Sequence, residues 1–398
     1  MKQNLRKYFT DVGAKYLTKV DVGKQHEIGS NNFTSILGDP KDKKIPYKST
    51  LLYLDDETDF SARVNCDLTW YDTRLEQKHR SSEFRLYYKT NIVSERMKQG
   101  DFCVVALKSD RSLLVIFTPP QSTMERQVRW LFGISDLPAR GFSLDEVDDR
   151  RISIAEATIL EELGVEVRRD DENWLDRIVG QFGGVFPNTM LFSNFARQTC
   201  PDSFSPIVEP DAALMAWIEH EEMLFRTLER QIVQRQLDIG FESVDHFIKF
   251  SLSVQNRRKS RIGYALEHHL AEIFSARKLP FGRQVVTENR STVDFVFPGQ
   301  NEYSDFDYPD SKLIMLAAKS TCKDRWRQVL VEAARIKSKH LLTLEPAISP
   351  HQTNEMKAHG LQLVVPRALK ATYTLNQQRW VLDFESYLDI CEALLTEF

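Results

Sequence analysis

The chain has 398 residues, 42% of them hydrophobic, which is too long for one ordinary domain and apolar enough for two substantial cores. No apolar run approaches a bilayer span, the N-terminal MKQNLRKYF lacks the apolar core of a signal peptide, and Cys66, Cys103, Cys200, Cys322 and Cys391 are scattered with no C-x-x-C pair. A disulfide framework, a cysteine zinc site and a membrane partner are not expected, and a cytoplasmic location is. The net charge of −4 is unevenly spread: residues 257–339 hold sixteen Lys and Arg against ten Asp and Glu, whereas residues 136–172 hold five against twelve. Positive charge gathered in one stretch is what a surface neutralising a nucleic-acid backbone requires.

Residues 1–135 read as mostly strand. The runs SARVNCDLTWY (61–71), SEFRLYY (82–88), FCVVALK (102–108) and SLLVIF (112–117) alternate or cluster β-formers, with turn signals such as Gln99-Gly100-Asp101 and Ser109-Asp110-Arg111 between them. Short strands at this spacing predict a barrel or pseudobarrel. Ahead of them, GKQHEIGSNNF (23–33) offers Gln25, His26, Glu27 and Asn31 for hydrogen bonding, either to DNA from a loop or within a structural turn. Residues 136–205 read as an acidic connector of loops with one helix, ISIAEATILEELG (152–164), in which Ile154, Ile159 and Leu163 form a buried stripe that Gly164 ends.

The third stretch, 206–398, opens on a long helix at 212–239, ended by Gly240, and a second helix at 244–254. Such amphipathic patterns suit core packing or a dimer face. A third helix, 261–278, carries Glu267. The approach to it holds Asn256, Arg257, Arg258, Lys259, Ser260 and Arg261, a cationic cluster suited to phosphate contacts. TVDFVFP (292–298) and LIMLAAK (313–319) flank a turn-rich insert and predict a hairpin with Asp294 on its first strand and Lys319 ending the second. A carboxylate inside a strand that otherwise wants burial must be paired, protonated or metal-bound, so Asp294 with Lys319 marks a site. A helix through Glu332 follows, then a strand at 340–344, a helix opened by Ser349-Pro350 and stopped by Gly360, and a strand at 361–365. Trp326 and Tyr303 either pack or stack near DNA, and His268 and His269 read as polar helix positions.

An acidic residue and a lysine on adjacent strands resemble the core of the PD-(D/E)XK nucleases, with one departure, since Ala317 stands where the second acidic residue is usual. The segments NRRKSRIG (256–263), LEHHL (266–270), VDFVFP (293–298), KSTCKDRWRQ (319–328) and LVVP (363–366) extend the likeness to the catalytic domain of EcoRII-type restriction endonucleases. In that branch the second carboxylate comes from the following helix, and here it is Glu332. The resemblance implies a homodimeric type II restriction endonuclease cutting double-stranded DNA. It also implies Mg²⁺ held by Asp294, Glu332 and the Ala318 carbonyl, Lys319 at the attacking water, and Glu267 assisting from outside the ligand set. Lys323, Asp324 and Arg325 would read C·G pairs, Arg and Lys suiting guanine O6/N7 and Asp cytosine N4. SSEFRLYYKTN (81–91) and KQGDFCVVAL (98–107) resemble the B3-like effector domain of the same enzymes, which implies DNA contacts by Arg74, Lys78, Arg80, Arg85, Tyr88 and Lys89 and a restraint on cutting.

The expected fold class is therefore multidomain, α+β / α/β: an N-terminal B3-like β-pseudobarrel (1–135), an acidic connector (136–205) and a C-terminal α/β restriction-endonuclease-like core (206–398). Beside the restriction reading stand a modification-dependent enzyme that reads 5-methylcytosine, a DNA-binding regulator with a decayed nuclease domain, and a nuclease on RNA or branched DNA. Parallel digestion of methylated and unmethylated plasmid separates the first, and a metal-dependent cleavage assay the second. The joint presence of Asp294, Lys319 and Glu332 speaks against decay, and no module for stacking single-stranded bases is evident.

Overall fold

The structure is a computed structural model that describes residues 5–56, 62–77, 79–134, 142–145, 152–168, 171–323 and 325–396. It divides into two compact units, Met1–Val167 with Ala347–Ser349, and Arg168–Pro346 with Pro350–Phe398.

In the first unit, β1 (Phe9–Tyr16), β2 (Glu27–Gly29), β3 (Ile45–Tyr53), β4 (Ala62–Asp72), β5 (Phe84–Tyr87), β6 (Phe102–Lys108), β7 (Leu113–Thr118) and β8 (Phe142–Asp145) form one sheet in the order β2-β5-β4-β3-β7-β6-β1-β8. The apolar runs of β6 and β7 reflect burial on both faces, as central strands require. Phe102, Val104, Ala106, Leu114 and Ile116 enter one core, and Cys103, Val105, Leu113, Val115 and Phe117 the other. The first core is closed by helix Thr123–Phe132 and by helix Ile154–Glu162, whose Ile159 and Leu160, with Leu163 just past its end, are buried in it. Gly164 takes φ 74°, the left-handed turn expected at that helix end.

The stretch expected as a connector, 136–205, is thus not one body. Ile152, Val165 and Val167 pack into the first core, while residues read as loops form helices Leu175–Phe182 and Thr189–Thr199 of the second unit. Those helices bury Ile178, Phe192 and Ala196 against Leu224, Phe225 and Leu228 of helix Pro210–Ile239. The sequence disguised them because each is short and their apolar stripes count only once the long helix is beside them.

The second unit holds a six-stranded sheet, β14-β13-β12-β11-β10-β9, built from β9 (Gly282–Val286), β10 (Thr292–Phe297), β11 (Ile314–Lys319), β12 (Lys339–Thr343), β13 (Leu361–Val365) and β14 (Leu382–Asp383). β9, β10 and β11 pair antiparallel, and β11 through β14 run parallel. The two helices expected at 244–254 and 261–278 are a single helix, Val244–Ala276, because nothing in QNRRKSR breaks a helix and Arg258 and Arg261 find carboxylates on helix Pro210–Ile239. Phe274 anchors this helix, its ring edge-on to Phe295 and Phe297 with centroids 5.1 and 5.0 Å apart. Glu267 lies two helical turns before Phe274 and so on the same face, which the phenylalanine contact turns toward β10. Among the described residues no helix is long and apolar enough to cross a membrane.

Candidate active site

β10 and β11 pair from Phe297↔Ile314 to Phe295↔Leu316, and the site begins just past that last pair. Asp294 is buried there. Its Oδ2 accepts from the Ala318 N–H at 2.8 Å and from Lys319 Nζ at 3.0 Å, while Oδ1 accepts from the Gln284 side-chain amide at 3.2 Å. The buried carboxylate is therefore paired, with the half-buried Lys319 closing the strand end beside it.

Glu267 reaches the same group from helix Val244–Ala276. Its Oε2 accepts from the Gln284 amide at 2.9 Å and from the Arg283 guanidinium at 3.3 Å. Burial, and then the charge of Asp294, push the Glu267 carboxyl above its ordinary range, with Gln284 and Arg283 opposing. Gln284 thus ties two carboxylates together. It stands across from Asp294 between the pairs Val293↔Val285 and Phe295↔Arg283, with φ at 51°, a left-handed conformation that costs a non-glycine residue energy. Sequence reasoning missed it, since only the strand register shows which β9 residue faces Asp294.

Glu332 also comes to this group, though not from a helix as expected. The helix after β11 is a single turn, Trp326–Val329, and Glu332 follows on an irregular bend. Trp326 and Tyr303 are buried packing residues rather than exposed stacking surfaces. Burial pushes the Glu332 carboxyl up to about 7, with Lys319 and Lys339 opposing and Asp294 adding to the rise. Its Oε2 is buried and has no hydrogen-bond partner among the described residues. Lys339 Nζ, itself buried, donates to the main-chain oxygens of Glu332 and Ala333.

Among the described residues no cluster of three or more His, Cys, Asp and Glu side chains forms a ready metal cage. Two carboxylates and a main-chain oxygen, completed by water, nevertheless suit a hard divalent ion, and the orphaned Glu332 Oε2 near the Asp294 charge fits one.

The turn after β11 carries Lys323 and Arg325; Asp324 lies outside the described residues. Buried Glu345 fixes this turn by accepting from the main-chain N–H groups of Cys322 and Lys323. Lys323 is half-buried with φ 37°, and Arg325 is exposed, its guanidinium on the Thr321 hydroxyl.

The cationic cluster divides. Lys259 is exposed, and Arg257 is exposed with its guanidinium over the Phe186 ring at 4.4 Å. Arg258 pairs with buried Glu229 at 2.6 Å. Arg261, expected to grip phosphate, is buried, pairs with Glu222, lies 3.7 Å from Glu221 and stacks over Phe225. A buried carboxylate needs a partner, and Arg261 supplies it from the neighbouring helix. His269 is buried likewise, its Nε2 2.9 Å from Glu221 Oε2.

In the first unit, Arg80 and Lys89 are exposed, and Lys78 lies outside the described residues. Arg74 and Arg85 share one carboxylate, Glu83, the first at 2.5 Å. Tyr88 was expected on the surface but is buried, its hydroxyl donating to the Asp21 carbonyl at 2.8 Å. Asn31 braces a turn, donating to the Ser82 carbonyl and accepting from the Phe84 N–H.

Residues 225–388 match the family model described as EcoRII C terminal. The type II restriction enzyme EcoRII of Escherichia coli is 43% identical over 167 residues, which are 42% of this chain and 41% of that protein. The type II restriction enzyme SsoII of Shigella sonnei is 25% identical over 203 residues, 48% of this chain and 64% of that protein. The chain thus matches less than two thirds of the length of either relative. A solved structure, metal-depleted Ecl18kI in complex with uncleaved, modified DNA, is similar over 56% of this chain and 84% of that chain, at 20% identity and a TM-score of 0.45. The stretch that matches the family model, residues 225–388, is also the one that holds Glu267, Asp294, Lys319 and Glu332.

Proposed function

We propose that this chain is a Mg²⁺-dependent type II restriction endonuclease of the EcoRII kind, hydrolysing phosphodiester bonds in double-stranded DNA at a short C·G-rich site. The observation that carries the reading is the gathering of Asp294, Lys319, Glu267 and Glu332, the first and last buried and the other two half-buried, inside the matched segment. Asp294, Glu332 and the Ala318 carbonyl are the proposed ion ligands. The ion, when bound, supplies an activated water and stabilises charge on the phosphate. Asp294 holds the Lys319 ammonium 3.0 Å away, so that it can orient the attacking water and offset negative charge building on phosphorus. Glu267 and Gln284 keep the Asp294 carboxylate in place.

Lys323, Asp324 and Arg325 read the base pairs, and Arg257, Arg258 and Lys259 follow the backbone. The first unit is a B3-like DNA-sensing module that restrains cutting, with Arg74, Lys78, Arg80, Arg85 and Lys89 as its contacts. The enzyme works as a homodimer. Val244, Ile248 and Leu252 support this, forming an exposed apolar stripe at helical spacing on helix Val244–Ala276.

The test is digestion of plasmid by the purified full chain with Mg²⁺, followed by sequencing of the fragment ends. A single recurring C·G-rich site at the ends is the expected result. Random ends, or no cutting of either methylated or unmethylated plasmid, would reject the reading.

A further inference from the structure

Glu332 presents a mechanical problem. The helix before it ends at Val329, the next strand starts at Lys339, and Glu332 itself sits on neither. A carboxylate on an irregular bend has no backbone ladder to fix it, yet positioning within about half an ångström is what such a site demands. The bend is also strained, because Ala333 has φ 46°. Strain of this kind persists only where neighbouring contacts over-determine it.

We infer that Lys339 is a positioning residue for Glu332, acting as a buried cationic clamp on the main chain of the bend. Its ammonium donates to two successive carbonyl oxygens, those of Glu332 and Ala333, the second at 3.0 Å. Lys339 belongs to β12 and is paired there with Met315 of β11, the strand that ends in Lys319. The clamp therefore ties the bend to the strand pair that carries the rest of the site. Two further contacts steady the bend from its outer side. The Ala334 N–H donates to Glu288 at 3.1 Å, and the Arg335 guanidinium donates to the main-chain oxygens of Tyr303, Asp305 and Tyr308. Of these groups only Lys339 reaches the carbonyl of Glu332 itself.

The proposal rests on Glu332 being part of the cutting machinery, so Glu332→Gln is measured beside Lys339→Met. Single-turnover cleavage, DNA affinity without metal, thermal melting and amide hydrogen exchange in residues 331–336 are the readouts. The methionine variant is expected to lose cutting by about 10- to 100-fold, as removal of a ligand's supporting partner does, with DNA affinity within about twofold of the parent and faster exchange across the bend. A folded Lys339→Met chain that cuts at the parent rate overturns the proposal. So does one that loses cutting with exchange in the bend unchanged. If Glu332→Gln itself cuts normally, the site reading fails first and takes the clamp with it. Should Lys339→Met not melt cooperatively, Lys339→Arg decides. It keeps a cationic donor and must retain parent-like exchange and more cutting than Glu332→Gln; a folded arginine variant with parent-like exchange but no cutting refutes the clamp.

Discussion

Asp294 and Lys319 hold each other, and neither is proposed to grip the duplex. Lys319→Ala and Asp294→Asn should each lower single-turnover cleavage by roughly 10²- to 10³-fold or more while leaving DNA affinity within about twofold, since what is lost is stabilisation felt only as charge builds on phosphorus. Robust cutting by either variant would remove the assignment. Glu332 gives a pH signature without metal. Its folded-state value of about 7 lies above the ordinary 4.5, so the folded chain keeps a proton that the unfolded chain has lost between those values. The stability this contributes is complete below pH 4.5 and is lost as pH rises through about 7. Melting in EDTA across that window should show the parent losing ground against Glu332→Gln and levelling off above it; parallel curves would contradict the raised value. Asp294 and Lys319 were legible from residue types, because a charge inside an apolar strand announces itself; Glu267, one charge among many on a helix, came only with the family resemblance. Gln284 was not, being an ordinary polar residue until register and a left-handed φ aim it at two carboxylates.

Phe274, edge-on to Phe295 and Phe297, anchors the helix that delivers Glu267 to β10, so the anchoring can be measured apart from the carboxylate itself. Phe274→Ala should cost about 3–5 kcal/mol in chemical denaturation, the usual penalty for emptying a buried phenylalanine site, and should lower cleavage in the folded fraction by loosening Glu267. A loss below about 1 kcal/mol would mean that the neighbouring rings collapse into the space. Arg261→Met should behave quite differently from a DNA-contact variant. Removing one partner from buried charges leaves Glu222 and Glu221 short of compensation, for which about 3–5 kcal/mol is typical. Cleavage by whatever remains folded should change little. The sequence misled here because a run of arginines shows its own charge but not the carboxylates waiting on residues 221–229 of another helix. β6, β7, β10, β11 and the helix stopped by Gly360 were readable, because apolar runs there end in turn residues, whereas β1, β3, β9 and helix Thr123–Phe132 were not singled out. The short helices Leu175–Phe182 and Thr189–Thr199 were hidden, since their stability is tertiary.

The two units bear on where the chain can be shortened. A truncation starting at Ser205 removes Ile178, Phe192 and Ala196 and bares Leu224, Phe225 and Leu228, whereas one starting at Arg168 keeps that core whole. At about 1.5–3 kcal/mol for each large apolar side chain, the shorter chain should melt well below the longer one. The longer truncation is therefore the proper test of restraint: it should cleave single-site DNA faster than the full chain, and an equal rate would make the first unit a specificity module only. Under the proposed function, the burial of Arg261 bears on how DNA affinity changes with ionic strength. A cation buried against a carboxylate cannot reach the duplex to displace its condensed ions, so Arg261 should contribute little to the counterions set free on binding. A plot of log affinity against log salt should be shallower than the local excess of lysine and arginine suggests. Lys259→Ala should flatten it by close to one unit, and Arg261→Met should leave it unchanged.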